Sequence, residues 1–356
     1  MSFDPKSLQQ TWPRPSQPRP IVIIGAGDIV RDAHLPAYVK AGFPVAGVYD
    51  LDPKVAEKRS QEFKLRVFRS IEEAVSIPGA IFDLATPPKA HEAALAQLPD
   101  NSTVVVQKPM GRTLEEAHRI VDLCRRKRLK AAVNFQLRFS PYMLAMRDFI
   151  RRGELCEIVD MEVHLNLETP WDLFPFLREQ SRVEILVHTV HHLDLVRHFL
   201  GNPRRVYART VKHPRYPKLA SARSSIILDY GDMIRCCLSI NHCHNYGPKH
   251  MDASARVEGT EGCALATLGL LLDYPRGRED KLDVIGRSVP EWTDVPLNGR
   301  WFPDGFVGVM SNVQRFAAGE DDALVSPVDD ALETMRLVEA CYVSDHQGGI
   351  EMNSVK

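Results

Sequence analysis

The chain has 356 residues, enough for two domains of ordinary size. Its 45 lysines and arginines stand against 46 aspartates and glutamates, a formal charge of −1, which speaks against binding nucleic acid or an anionic membrane by bulk charge. With 44% hydrophobic and 26% charged residues it has the composition of a globular protein with apolar material for two cores, and disorder over most of its length is excluded.

Residues 1–20 hold five prolines and read as a flexible or polyproline-like arm lying on a neighbouring surface. They contain no apolar core of the signal-peptide type. From Ile21 onward short apolar runs alternate with amphipathic ones. Strands are predicted at 21–27, 44–49, 66–68, 80–86, 103–109 and 129–135, with helices over 29–41, 53–63, 71–75, 91–98 and 114–126. That alternation predicts a doubly wound parallel sheet covered on both faces. After a helix over 141–152 the texture changes to β-rich stretches at 157–167, 205–211, 224–228, 233–241, 253–258 and 282–285. A helix over 183–200 interrupts them, and two helices close the chain near 306–318 and 327–345. Strands in a run with segregated helices predict an α+β domain built on an open, mainly antiparallel sheet. The basic run CRRKRLK (124–130) reads as a solvated helix C-terminus.

No segment approaches the ~20 apolar residues of a membrane span, and Ala264–Leu272 is too short. Seven scattered cysteines without a CxxC pair predict free thiols in a reducing compartment, hence a cytoplasmic protein.

The chemistry begins at Gly25-Ala26-Gly27-Asp28-Ile29-Val30. Two glycines directly after a buried strand allow a tight turn and close approach to a pyrophosphate, and the following helix offers its unpaired N–H groups. Val30 replaces the third glycine of the usual fingerprint, which weakens the motif alone. Asp50 ends the second strand 23 residues after Gly27, near the ~20 expected of the acid that binds the ribose hydroxyls. A carboxylate there repels a 2′-phosphate and no arginine follows in Leu51-Asp52-Pro53, so NAD is favoured over NADP. Thr86-Pro87-Pro88 with His91, and Gln107-Lys108-Pro109, lie at the carboxyl ends of strands in the same sheet, the edge where such sheets bind ligands. Lys108, between a buried strand and a proline, is expected to hold a fixed position.

The order of these motifs resembles the glucose–fructose oxidoreductase/inositol dehydrogenase (Gfo/Idh/MocA) family. The resemblance continues through Asn134-Phe135-Gln136-Leu137-Arg138-Phe139, His191-His192-Leu193-Asp194 and Val257-Glu258-Gly259-Thr260. It implies residues 21–139 as an NAD-binding Rossmann domain and 140–356 as a substrate-binding and oligomerisation domain, assembled as a homodimer or homotetramer through the C-terminal sheet. It implies hydride transfer between the nicotinamide and a sugar, inositol, other polyol or sugar derivative, and adds Gln136 to the cofactor residues. Lys108 and His191 would form the proton-transfer and oxyanion pair, with roles that could be exchanged.

Two departures stand out. The family's Glu-Lys-Pro is Gln107-Lys108-Pro109, and the aspartate often found four residues before the matched histidine is Val187. His188 is the local substitute, since 188, 191 and 192 stand at i, i+3 and i+4 of a helix and could share one face. Trp171 and Asp172 either line the substrate pocket or pack a loop. Arg138 either touches cofactor or substrate or pins a junction. No metal site is expected from the histidines, and His242-Cys243-His244 reads as a strand end lining the pocket. Two further readings stay open: a redox-neutral NAD-dependent glycosidase and a non-catalytic sugar sensor.

Overall fold

The computed structural model describes residues 3–354. The chain divides into two compact units. One comprises Gln9–Leu144 with Asn298–Met335, and the other comprises the chain up to Leu8, Ala145–Leu297 and the chain from Arg336 on.

The first unit carries five parallel strands: β1 (Ile21–Ile24), β2 (Val45–Tyr49), β3 (Ile81–Leu84), β4 (Thr103–Val106) and β5 (Lys130–Val133), in the order β2-β1-β3-β4-β5. The strands β1, β3 and β4 are buried throughout, as a parallel sheet covered on both faces requires. The sixth strand expected at 66–68 is reduced to a single bridge, Val48 to Val67. Between the strands run α1 (Leu35–Ala41), α2 (Pro53–Phe63), α3 (Ile71–Val75), α4 (His91–Gln97) and α5 (Leu114–Arg126). The expected helix over 29–41 opens with a π-helical turn over Val30–His34, where Leu35 N–H reaches Val30 O, five residues back. Pro36 follows and supplies no N–H, so the usual ladder cannot form there.

Beyond β5, α6 (Pro141–Arg151) leads into the second unit. Its sheet has eight strands: β6 (Ile158–Asn166), β7 (Arg205–Val211), β8 (Arg223–Asp229), β9 (Arg235–Asn241), β10 (Asp252–Gly259), β11 (Cys263–Thr267), β12 (Lys281–Gly286) and β13 (Val289–Asp294). They lie in the order β13-β12-β11-β10-β6-β9-β8-β7, antiparallel except where β6 meets β9. The strands β11 and β13 are additions to the expected set. The helix expected over 183–200 is a π-helical stretch, Glu184–Thr189, running into α7 (Val190–Leu200). Two long helices, α8 (Trp301–Ala318) and α9 (Val328–Gln347), close the chain.

The core of the first unit joins Ile21, Ile23, Val30, Tyr38 and Ile81 to Phe306, Met310 and Val313 of α8. That helix seats closely because of two glycines. A Cβ at Gly305 would stand 2.5 Å from Gln136 O, and one at Gly308 2.6 Å from Phe139 Cβ. The proline-rich arm lies along the same helix. Trp12 indole N–H donates to Asp321 (2.7 Å), and Arg19 N–H donates to Gln314 Oε1 (2.7 Å).

Candidate active site

Of the two glycines after β1, one serves packing and the other does not. Gly25 has φ +97°, and a Cβ on it would meet Ala85 O at 2.6 Å, so only glycine fits against the end of β3. Gly27 lies outside the left-handed region, and a Cβ there would meet nothing within 4 Å. The fold leaves that space open beside the start of the following helix, as close approach of a pyrophosphate requires. Gly27→Val is therefore expected to leave the unfolding free energy of the ligand-free protein within about 1 kcal/mol of wild type while weakening NAD binding at least ~10-fold. Calorimetric titration with NAD against a denaturant melt checks both halves. Val30 is fully buried, so its side chain is core. Ile29 is half-buried, and the exposed Asp28 faces Arg31 at 3.1 Å.

Asp50 stands against this loop. Its Oδ2 accepts from Ala26 N–H (2.7 Å) and its Oδ1 from Asp52 N–H (2.9 Å). From α2 the buried Arg59 donates to Ala26 O (3.0 Å) and pairs with Glu62. Arg59 is thus paired with an acid, as Arg31 is with Asp28 and Asp32, and Asp50 lies with its carboxylate against the backbone of the loop.

At the ends of β3 and β4, side chains form a buried chain of hydrogen bonds. Lys108 N–H donates to Gln107 Oε1 (2.8 Å), which turns the Gln107 amide nitrogen towards His34 Nε2 (3.0 Å). An amide nitrogen only donates, so His34 Nε2 is the acceptor and its proton sits on Nδ1, 2.7 Å from Asp83 Oδ2. Tyr38 hydroxyl donates to the same oxygen at 2.6 Å. A glutamate at 107 would face an accepting nitrogen with a second acceptor, so the glutamine fits this histidine. His91 braces the neighbouring turns, its Nδ1 at Met110 O and its Nε2 at Thr86 O, both 2.9 Å. Burial lowers its pKa. Lys108 is half-buried at the end of β4, and desolvation brings its ammonium down to about 8.

Three buried polar atoms on the carboxyl edge of the sheet have no partner among the described residues: Thr86 Oγ1, Asn134 Oδ1 and Gln136 Oε1. A native protein keeps few such atoms without a ligand or water to satisfy them. Together with the space at Gly27 and the carboxylate of Asp50 they fit a dinucleotide lying along this edge. Pro87 and Pro88 carry the chain from Thr86 into the turn Pro88–Ala90. Arg138 is turned elsewhere: its guanidinium donates to Val325 O (2.8 Å) and Asp330 Oδ2 (2.7 Å), within the same unit.

In the second unit the histidines gather at the π-helical stretch. The His188 ring lies 4.8 Å from His242 and 5.6 Å from Trp171, centroid to centroid, with Phe174 at 6.3 Å. Trp171 is buried, and Tyr216 packs against it at 6.2 Å. Asp172 points outwards, 96% exposed, and pairs with Arg178, so Trp171 and Asp172 are not brought together. His191 and His192 are buried on the first turn of α7. Among the described residues no group of three His, Cys, Asp or Glu side chains is arranged to hold a metal ion.

The carboxylate of this cluster is Glu184. Fully buried, it accepts from Thr189 and Ser224 hydroxyls and lies 3.6 Å from His242 Nε2. Val187 packs instead, half-buried, against the apolar group of Trp171, Leu177, Val183 and Leu219. Sequence reading passes over Glu184, His34, Tyr38 and Asp83. The available signal for Asp83 is a charge in the apolar strand Ala80-Ile81-Phe82-Asp83-Leu84.

Comparison with known proteins agrees with this fold. Residues 19–135 match the model described as an oxidoreductase family with an NAD-binding Rossmann fold, and residues 143–265 match the GFO/IDH/MocA C-terminal domain. Glucose-6-phosphate 3-dehydrogenase of Bacillus subtilis is 32% identical over 146 residues, 40% of this chain and 41% of that protein. D-apiose dehydrogenase of Rhizobium rhizogenes is 22% identical over 336 residues, 92% of this chain and 95% of its own length. An oxidoreductase from Agrobacterium radiobacter, solved in complex with NAD+, L-tartaric acid and magnesium, superposes with a TM-score of 0.78 at 20% identity, covering 96% of this chain and 100% of that one. With both domain models matched in order over a Rossmann sheet and a mainly antiparallel one, the chain belongs to the Gfo/Idh/MocA family of NAD-binding oxidoreductases.

Proposed function

We propose that the protein oxidises or reduces a carbinol carbon of a sugar, inositol, other polyol or sugar derivative, with Lys108 and His191 as the proton-transfer and oxyanion pair. The observation that carries this reading is Lys108: a lysine at the carboxyl edge of the nucleotide-binding sheet, its backbone fixed by Gln107 and its pKa near 8. When bound, NAD supplies the hydride acceptor, and NADH the donor in reverse. The hydroxyl proton must leave as the carbinol carbon loses hydride, which calls for a positioned base. His191 serves as that base, imidazole being the side chain whose reference pKa, near ~6.5, suits reversible transfer at neutral pH. Lys108 donates to the reacting oxygen and steadies the charge that develops there. His188 and Trp171 supply the imidazole and aromatic face towards the sugar ring. Asp172, paired with Arg178 at the surface, and Arg138, bonded to Asp330, take lesser parts, at the rim and in holding the sheet edge. Support for a sugar-like substrate comes from the relatives, whose names specify glucose 6-phosphate and D-apiose.

Asp50 selects NAD on this reading. Asp50→Ala is expected to lower the preference for NAD over NADP by about 10-fold or more. Binding titrations with both cofactors measure it, and unchanged selectivity removes Asp50 from ribose recognition. The reaction class is tested by supplying free polyols and aryl glycosides separately with NAD. NADH formed in proportion to polyol consumed supports the oxidoreductase, whereas aglycone released at constant NADH overturns it in favour of a redox-neutral glycosidase.

We further propose that the protein works in the cytoplasm, a setting suited to its seven free cysteines. Self-association through the open face of the eight-stranded sheet completes the proposal: cross-strand partners Tyr207 and Ile227 are 54% and 55% exposed there.

A further inference from the structure

The proline-rich arm is fastened to both ends of α8. Ahead of the helix, Gln10 Oε1 accepts from Asn298 N–H (2.7 Å). Towards its carboxyl end Arg19 donates to Gln314 Oε1 and Ala317 O (2.7 and 3.0 Å), and just beyond it Ser16 N–H donates to Glu320 (3.0 Å). Residues 11–20 form neither helix nor strand, so no backbone ladder holds this stretch in place. Pro13, Pro15 and Pro18 restrict it beforehand, which lowers the chain entropy lost on docking.

In the middle of the stretch Trp12 reaches the cofactor edge by two routes. Its ring packs edge-on against Phe139 at 5.3 Å and 70°. Phe139 closes the four-residue 3-10 turn Gln136–Phe139, whose first residue carries one of the buried acceptors without a partner, Gln136 Oε1. The second route runs through hydrogen bonds. Trp12 indole N–H donates to Asp321 Oδ2 (2.7 Å), which also accepts from the buried Asn312 amide (3.0 Å). Asn312 Oδ1 in turn accepts from Val325 N–H (2.9 Å), and Val325 O accepts from Arg138 of the same turn (2.8 Å). Next in the chain, Ser326 Oγ donates to Val133 O (2.7 Å) and Ser326 O accepts from Val133 N–H (2.8 Å), tying this segment to the end of β5. The helix that the arm holds meets Gln136 as well, at Gly305.

We propose that Trp12 is a positioning residue for cofactor binding, acting from the arm through Phe139 and Arg138 to hold Gln136 at the sheet edge. The ring contact sets Phe139, and the line Trp12–Asp321–Asn312–Val325 sets Arg138. A four-residue turn held at two of its side chains leaves its first residue little room to rotate. Gln136 Oε1 then waits in a fixed place, and NAD binding spends no energy on ordering it. The arm is in this way part of the cofactor site's support, although it lies more than 100 residues away in sequence. The inference rests on the reading of Gln136 as a cofactor residue.

The test uses the full chain and needs no turnover: calorimetric titration with NAD, and the side-chain amide resonance of Gln136 in the ligand-free protein. Trp12→Ala is expected to weaken NAD binding roughly 3-fold to 10-fold in folded protein and to shift that resonance. Trp12→Phe keeps an aromatic ring and loses the donor to Asp321, so its effects should be smaller and in the same direction. Should Trp12→Ala not fold, Trp12→Phe carries the test. Ser16→Ala, which loosens the arm at Glu320, should leave the affinity and the resonance as they are. In a Gln136→Ala chain, Trp12→Ala should add little further loss of affinity, since both changes act through one side chain. A folded Trp12 variant with wild-type NAD affinity and an unmoved Gln136 resonance overturns the inference, whatever its melting temperature, and leaves the arm a stabiliser of the fold alone. The reading of Gln136 fails separately: unchanged NAD affinity in Gln136→Ala removes it from the cofactor site, and the inference with it, whatever Trp12 does.

Discussion

Lys108→Met is expected to lower turnover by ~10²-fold or more and at the same time to make the protein more stable at pH 7. Turnover falls because the donor at the reacting oxygen is lost. The stability gain follows from desolvation, which brings the ammonium to about 8 in the folded chain, against roughly 10.4 in an unfolded one. Below pH 8 both states hold the proton, and the folded state bears the whole cost of a charge removed from water. Between about 8 and 10.4 the unfolded chain binds more protons than the folded one, so wild-type stability rises with pH and the cost is relieved. Methionine carries no charge and nearly the same length, so its advantage should be full at pH 7 and shrink as pH climbs through that window. Thermal melts of both proteins at pH 7 and pH 10 measure the difference, and binding titrations should find NAD affinity within about threefold. A less stable Lys108→Met protein at pH 7 would mean that the lysine is a structural tie.

The second large effect is expected at Asp83, fully buried within β3. Its Oδ2 is the shared acceptor of His34 Nδ1–H and Tyr38 hydroxyl. Asp83→Ala leaves both donors buried without it. At about 1–3 kcal/mol for each of the two unsatisfied groups, the unfolding free energy should drop by roughly 2–6 kcal/mol. Turnover should fall beyond what the loss of folded protein explains. His34 loses the partner that fixes its tautomer, Gln107 is then free to turn, and Lys108 N–H loses its set acceptor. Denaturant melts and kcat on the folded fraction check the two parts. An unchanged unfolding midpoint would contradict the network's role.

The first unit was largely legible because its signals are local. Its strands are short apolar runs and its helices the amphipathic runs between them, and in the structure Asp52 and Thr113 cap two of those helices, accepting from Lys54 N–H and Glu116 N–H. The glycine pair, Asp50 and Lys108 are likewise read from their spacing after buried strands. What escaped reading lacks a local signal. The strand β11 overlaps the apolar run Ala264–Leu272, which periodicity alone cannot assign to strand or helix. The strand β13 is short and polar, with most of its side chains exposed. Asp83 takes its histidine partner from 49 residues away, and Glu184 takes Ser224 from 40. Neither network leaves a periodic trace. Four residues before His191 stands Val187, packed against an apolar cluster, while the buried acid, Glu184, stands three residues earlier in the chain.

The most direct measurement is the near-ultraviolet absorbance of the nicotinamide when wild type and Lys108→Met are each mixed with NAD and a panel of sugars, sugar acids, inositols and other polyols. Substrate-dependent appearance of NADH with wild type, reduced ~10²-fold or more in the variant, is the expected result. Equal rates of NADH formation in the two proteins would contradict the assignment of Lys108 to the reacting oxygen, and with it the proposed proton-transfer pair.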